Sequence, residues 1–226
     1  MPSVLITGAN RGLGLAFARQ YGADGYRVYA TCRDPGAASD LNNLEGDITV
    51  HGLDVTDLGT IEALARELDG AAIDILVNNA GILTESQRGG TIDYAAWEEE
   101  FRVNTIGPIA VAQALAPHME RGRGRRIAFI SSIMGSIGGN TGGGHYLYRS
   151  SKAALNAAAK SLAIDLAPEG VIVLVFHPGW VRTDMGGPGA AIDAETSVRG
   201  LRAVIKAAGP DDSGRYMTYE GEDLPW

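Results

Sequence analysis

Ser3-Val4-Leu5-Ile6-Thr7-Gly8-Ala9-Asn10-Arg11-Gly12-Leu13-Gly14 joins a short apolar run to a glycine-rich stretch. The apolar run reads as a buried parallel strand. Leu15, Ala16, Phe17, Ala18 and Tyr21 then follow a helical pattern, with Gly22 as its expected stop. Strand, glycine turn and helix form the opening of a dinucleotide-binding βαβ unit. Glycines let the chain turn tightly, and they let backbone N–H groups approach a pyrophosphate at the helix N-terminus. The spacing is Gly-x-x-x-Gly-x-Gly, not the commoner Gly-x-Gly-x-x-Gly. A plain turn would use the same residues, so the rest of the chain has to decide.

Further apolar runs follow at 27–32, 48–54, 73–77, 126–131 and 171–176, with Tyr216-Met217-Thr218 as a candidate edge strand. Helical patterns fall between them, at about 58–68, 92–118, 148–167 and 194–208. Asp57 or Thr56 is a natural N-cap for the first of these. Such alternation predicts an α/β fold: a single Rossmann-like domain over 1–226, with a doubly wound, mostly parallel sheet of about seven strands and helices on both faces. Asn104 lies inside the longest helical pattern. It reads either as a satisfied core amide or as part of an irregularity that holds a water, and Gly107-Pro108 favours an irregularity because proline cannot donate to the helix ladder.

Cys32, at the end of the second strand, is followed by Arg33 and Asp34. An acid near this point serves the ribose 2′-hydroxyl of NAD. An arginine suits a 2′-phosphate, and Arg11 in the glycine turn could reach the same group. The two arginines favour NADP(H), with NAD(H) as the alternative through Asp34. Asp54, at the end of the third strand, either accepts from an adenine amino group or holds a turn. His51, inside that strand, reads as structural.

Of the 226 residues, 45% are hydrophobic, enough for one sizeable core. Net charge is −8, from 19 basic and 27 acidic residues, which argues against nucleic acid as a partner. The basic run 121–126 reads as a solvated loop. With Cys32 as the only cysteine, an intrachain disulfide and a multi-thiolate zinc site are excluded, and no metal is expected. Neither a signal peptide nor a membrane span is expected, which points to a cytoplasmic protein.

Tyr148 and Lys152 are four positions apart and share a helix face. A lysine beside a phenol favours phenolate, which equips the tyrosine for proton transfer.

With these residues assembled, the chain resembles the short-chain dehydrogenase/reductase family over nearly its whole length. The resemblance rests on Thr7-Gly8-x-x-x-Gly12-x-Gly14, Asn78-Asn79-Ala80-Gly81, Asn104, Ser132, Tyr148-x-x-x-Lys152 and Pro178-Gly179, in that order. Residues 7–12 and 30–35 look like the carbonyl-reductase branch, and 131–137 with 221–226 look like its sniffer-type and C-factor-type members. The resemblance implies catalytic roles for four residues. Tyr148 would be the general acid, and Lys152 would tune it and hold the nicotinamide ribose. Ser132 would bond the carbonyl oxygen, and Asn104 would hold a relay water. It also implies a cofactor path. Gly8, Asn10, Arg11, Gly12, Leu13, Gly14 and Arg33 would carry the phosphates and adenosine, and Asp54 and Val55 would face adenine. Asn79, Ala80 and Gly81 would line the ribose and nicotinamide, with Pro178, Gly179, Val181 and Thr183 at the carboxamide. The interval from Ser132 to Tyr148 is longer than is usual in the family, which leaves Ser131 and Ser136 as alternatives. The substrate implied is a small carbonyl or alcohol. The family's habit of pairing through its two long central helices implies a homodimer or homotetramer through 92–118 and 148–167.

Overall fold

A computed structural model of the chain describes residues 1–84 and 91–226. Among them, seven strands form one sheet: β1 (Ser3–Ile6), β2 (Arg27–Cys32), β3 (Ile48–Gly52), β4 (Ile75–Asn78), β5 (Arg126–Ile130), β6 (Ile172–His177) and β7 (Arg215–Thr218). Their order is β3-β2-β1-β4-β5-β6-β7, and every pairing is parallel. The helices are α1 (Gly12–Ala23), α2 (Ser39–Asn42), α3 (Leu58–Glu67), α4 (Tyr94–Phe101), α5 (Gly107–Arg121), α6 (Tyr146–Asp165) and α7 (Ala194–Ala207).

The uninterrupted apolar strands follow from burial on both sides. Side chains alternate across a strand, so Val4 and Ile6 enter one core with α1 and α7, while Leu5 enters the other with α3, α5 and α6. On β6, Ile172, Leu174 and Phe176 take the first side, and Val173 and Val175 the second. The strand order reverses direction between β1 and β4. In open parallel sheets, ligands bind outside the carboxyl ends of the strands at such a switch.

The helices differ from the sequence expectation in three places, the simplest being α6, which runs Tyr146–Asp165 where 148–167 was expected. Gly22 does not stop α1. It sits inside the helix, where a side chain would press on Ile48 Cδ1 at 3.0 Å, and the chain turns at Gly25 with φ of 75°. The pattern at 92–118 is not one helix. It divides into α4, a π turn over Arg102–Ile106 and α5, with Pro108 in the first turn of α5.

Candidate active site

Three loops meet at the carboxyl edge of the sheet. In the turn after β1, Gly8 and Gly12 take φ values of 64° and 54°. A side chain at Gly8 would press on Ala80 Cα at 3.0 Å, one at Gly12 on Thr183 Cγ2 at 3.3 Å, and one at Gly14 on Gly8 O at 2.2 Å. Thr7 Oγ1 accepts from the N–H groups of Asn79 and Ala80, each at 3.0 Å. Asn79 Nδ2 donates to Thr7 O at 2.9 Å and Gly8 O at 3.1 Å. The Asn79 side chain therefore braces the glycine turn. A side chain at Gly81, two residues on, would lie 3.2 Å from Asn104 Oδ1 and 3.5 Å from Lys152 Nζ.

The N-terminus of α1 has no side-chain cap, and no acid lies in its first turn. Gly12, Leu13 and Gly14 thus begin a helix whose positive end faces this edge, an arrangement that fits an anionic pyrophosphate. Asn10 and Arg11 are exposed beside it. Arg11 Nη1 meets Asp184 Oδ2 at 2.8 Å, with both side chains largely in solvent. Such an exposed pair contributes about 0–1 kcal/mol. Arg33 is exposed after β2. Asp34, the contrary signal for NAD, accepts from Ala37 N at 3.2 Å and caps the short turn Pro35–Ala37. Asp54 Oδ1 accepts from the N–H and hydroxyl of Thr56 at 2.9 and 2.7 Å, and these bonds hold its carboxyl below the usual range. Asp54 thus holds a turn, and Val55 next to it is buried.

Tyr148 and Lys152 lie one turn apart on α6, both buried. Lys152 Nζ is 5.7 Å from the Tyr148 ring centroid and donates to Ile130 O at 2.9 Å, at the end of β5. Ser132 Oγ accepts from Met134 N at 3.2 Å and faces the phenol. The alternative serines are engaged elsewhere: Ser131 Oγ donates to Asn156 Oδ1 at 2.6 Å, and Ser136 Oγ accepts from Gly139 N at 2.8 Å.

The i, i+4 spacing predicted a phenol lowered by its lysine. The folded chain shows the reverse. Burial pushes the Tyr148 phenol up to about 12, the Ser132 hydrogen bond opposes this, and the Glu100 carboxylate adds to it. Burial also pushes Lys152 down to about 8, against the pull of Glu100. Removal from water outweighs the helix-face proximity of the two groups.

Asn104 lies in the π turn, so the predicted irregularity is present. Its amide is also satisfied: Oδ1 accepts from Ile82 N at 2.8 Å, and Nδ2 donates to Ile82 O at 2.8 Å and Ser151 Oγ at 3.1 Å.

Met185 Sδ lies 4.0 Å from the Tyr148 phenol oxygen. The segment leading to it passes Pro178, whose carbonyl accepts from Ser197 Oγ, then Gly179, then Val181 bridged to Ile192, and Thr183 against Gly12. His177, before this turn, is kept neutral by burial, which pushes it down to about 4. The glycine-rich loop at 136–144 is tied to the tail: Gly138 N donates to Trp226 O at 2.7 Å. The Trp226 ring packs on Tyr216 at 5.4 Å between centroids, and the Tyr216 hydroxyl donates to Ser132 O.

Sequence reasoning assigned no role to Glu100, Asn156, Met185 or Tyr216. Asn156 follows Lys152 by four positions and Glu100 precedes Asn104 by four, spacings that mark shared helix faces. The contacts of Met185 and Tyr216 cross the fold and leave no local pattern. Among the described residues, no cluster of three or more His, Cys, Asp or Glu is placed to hold a metal. Nor is any described helix long and apolar enough to cross a membrane.

A family model described as short chain dehydrogenase matches residues 2–191. C-signal of Myxococcus xanthus is 45% identical over 166 residues, covering 74% of this chain and all of that protein. Among solved structures, the carbonyl reductase Sniffer of D. melanogaster superimposes with a TM-score of 0.94 at 36% identity, with both chains fully covered. The NADPH-bound carbonyl reductase from chicken fatty liver gives 0.92 at 33% identity, covering all of this chain and 99% of that one.

Proposed function

This chain belongs to the short-chain dehydrogenase family, and on that premise we propose that it is an NADP(H)-dependent carbonyl reductase or alcohol dehydrogenase acting on a small or medium carbonyl compound. The observation that carries the reading is the meeting of Tyr148, Lys152 and Ser132 beside Gly81, where the glycine turn and the strand ends converge.

NADPH, when bound, supplies the hydride that reaches the carbonyl carbon. The chain's own residues manage position and protons. Ser132 lies within hydrogen-bonding reach of the Tyr148 phenol, and the two hydroxyls would take the carbonyl oxygen between them. Tyr148 gives its proton to that oxygen, and alcohol and phenolate result. Lys152 stabilises the phenolate and orients the ribose hydroxyls. Asn104, in the π turn next to Gly81, places a water that returns a proton through Lys152. The uncapped start of α1 and the side-chain-free surfaces of Gly8, Gly12 and Gly14 hold the pyrophosphate. Met185 over the phenol gives the substrate side an apolar contact.

Arg33 and Arg11 take the 2′-phosphate, and the capping role of Asp34 supports this assignment over NAD. Arg33→Ala is expected to raise the KM for NADPH about tenfold or more and leave that for NADH within about twofold. Equal losses for the two cofactors, measured by steady-state kinetics, would remove Arg33 from the phosphate site.

The test of the reading is a panel of aldehydes and ketones followed through NADPH absorbance. The likeness to C-signal favours a second reading, a cofactor-binding protein that acts through partners. Tight NADPH binding with no turnover on any carbonyl would support that reading instead. We further propose one cytoplasmic domain over 1–226 that forms a homodimer or homotetramer through α4, α5 and α6. Exposed Tyr94, Ile106 and Ile164 in this region support the helix-to-helix pairing. A monomer by light scattering would refute it.

A further inference from the structure

Glu100 and Lys152 are the carboxylate and the ammonium that the described part of the fold buries almost completely. Burying either charge alone is costly unless an opposite charge or dedicated hydrogen bonds offset it. Lys152 has the catalytic reading given above, which leaves Glu100 to be explained.

Glu100 lies in the last turn of α4, four residues before Asn104, and α4 packs across α6. The chain at 81–84 runs along this pair of residues and is held at two points. Asn104 takes the N–H and the carbonyl of Ile82, and Glu100 Oε1 takes the N–H of Thr84 at 2.7 Å and its hydroxyl. Two donors on one oxygen suit a carboxylate. Glu100 Oε2 is buried with no hydrogen-bond partner among the described residues. Gly81, at the head of the clamped segment, is the point that both Asn104 Oδ1 and Lys152 Nζ approach.

We propose that Glu100 is a positioning residue of the reductase site, the buried counter-charge that keeps Lys152 an ammonium and, through it, sets the pH range in which Tyr148 works. The proposal rests on the reductase reading.

The electrostatics agree in sign: the Glu100 charge raises both Lys152 and Tyr148. Other charged groups on the packed elements are placed otherwise. Glu98, Glu99 and Arg102 are exposed, and Arg149 reaches Met134 O. His177 is neutral, and the Tyr216 hydroxyl is engaged by Ser132 O.

Glu100→Gln keeps the shape and an acceptor for Thr84 but removes the charge. Carbonyl reduction needs a protonated phenol and a charged ammonium, so its rate falls on the alkaline side. Without Glu100 both groups lose protons more easily, and the alkaline limb is expected to move down by roughly half to one pH unit. NADPH affinity stays within about twofold. Thr84→Val, which removes the hydroxyl donor and keeps the charge, leaves the limb within about 0.2 unit. An unmoved limb in Glu100→Gln, or an equal shift in Thr84→Val, overturns the proposal.

A second arm reads stability alone and holds even where Glu100→Gln fails to fold. In a Lys152→Met background the carboxylate has no charge to balance. The double variant is then expected to melt no lower than Lys152→Met. A lower melting temperature, or a double variant that does not fold, overturns the proposal. A wild-type chain that reduces no carbonyl defeats the reductase reading, while the melting series still tests the pairing of the two charges.

Discussion

Tyr148→Phe is expected to lower the turnover of carbonyl reduction by about 10²–10⁴-fold while leaving the Kd for NADPH within about twofold. The substitution removes the one oxygen that faces Ser132 and Met185 and keeps the ring over which Lys152 Nζ sits at 5.7 Å. Packing on α6 is therefore preserved, and the loss falls on proton transfer. Single-turnover kinetics with saturating NADPH, set beside fluorescence titration of the cofactor, separate the two effects. Unchanged turnover would end the assignment of Tyr148 as proton donor. The raised phenol, at about 12, also fixes the direction of the pH dependence. Near neutral pH the phenol carries its proton, as donation to a carbonyl requires. Alcohol oxidation needs the phenolate, so its rate is expected to rise with pH while that of reduction falls.

Gly14→Ala is expected to disable the cofactor cradle and to destabilise the fold. The added methyl would stand 2.2 Å from Gly8 O, 2.7 Å from Asn79 Nδ2 and 2.9 Å from Ala9 Cα. Two of these are backbone atoms of the turn proposed to receive the cofactor, and the third belongs to the side chain that holds that turn. Relief requires moving the turn away from β4. The cost lies at the upper end of about 1–3 kcal/mol for overpacking, equivalent to a fall in Tm of roughly 5–10 °C for a chain of this size. NADPH affinity should drop about tenfold or more, since the displaced N–H groups are those that would meet the pyrophosphate. Gly142→Ala is the control. A methyl there meets nothing within 4 Å, and Tm should stay within about 1–2 °C. Calorimetry of both variants decides the point, and equal Tm values would show that the turn is not as tightly packed as the contacts indicate.

Much of this protein is legible locally. Continuous apolar runs such as Val4-Leu5-Ile6 and 172–176 must be buried on both faces, and helical periods between them force a parallel, doubly wound sheet. Glycines at 8, 12 and 14 mark close approaches that leave no room for a side chain, to the backbone at Ala80 and Gly8 O and to the Thr183 side chain. Tyr148 and Lys152 share a face because a helix has 3.6 residues per turn. Gly107-Pro108 signalled that the helix around Asn104 would be irregular, and the π turn lies immediately before it.

Other properties belong to the assembled chain. The sign of the Tyr148 shift depends on how much water is excluded around it, a quantity summed over α4, α6, β5 and the loop at 132–136, and no helix spacing contains it. Whether Ser131, Ser132 or Ser136 meets the phenol depends on Asn156 and on the loop at 136–144, which claim the other two. Asp34 and Arg33 offered opposite cofactors until the short turn after β2 engaged the acid. Glu100 looked like one more acid in Glu98-Glu99-Glu100. Its burial exists only once α4 packs across α6, and with it the proposed balance of charge with Lys152. Periodicity and residue type determine which segments must be buried, because those are properties of the chain itself. Which charges then face one another away from water is decided by tertiary packing, because desolvation and Coulomb energy depend on distances that the chain order does not hold.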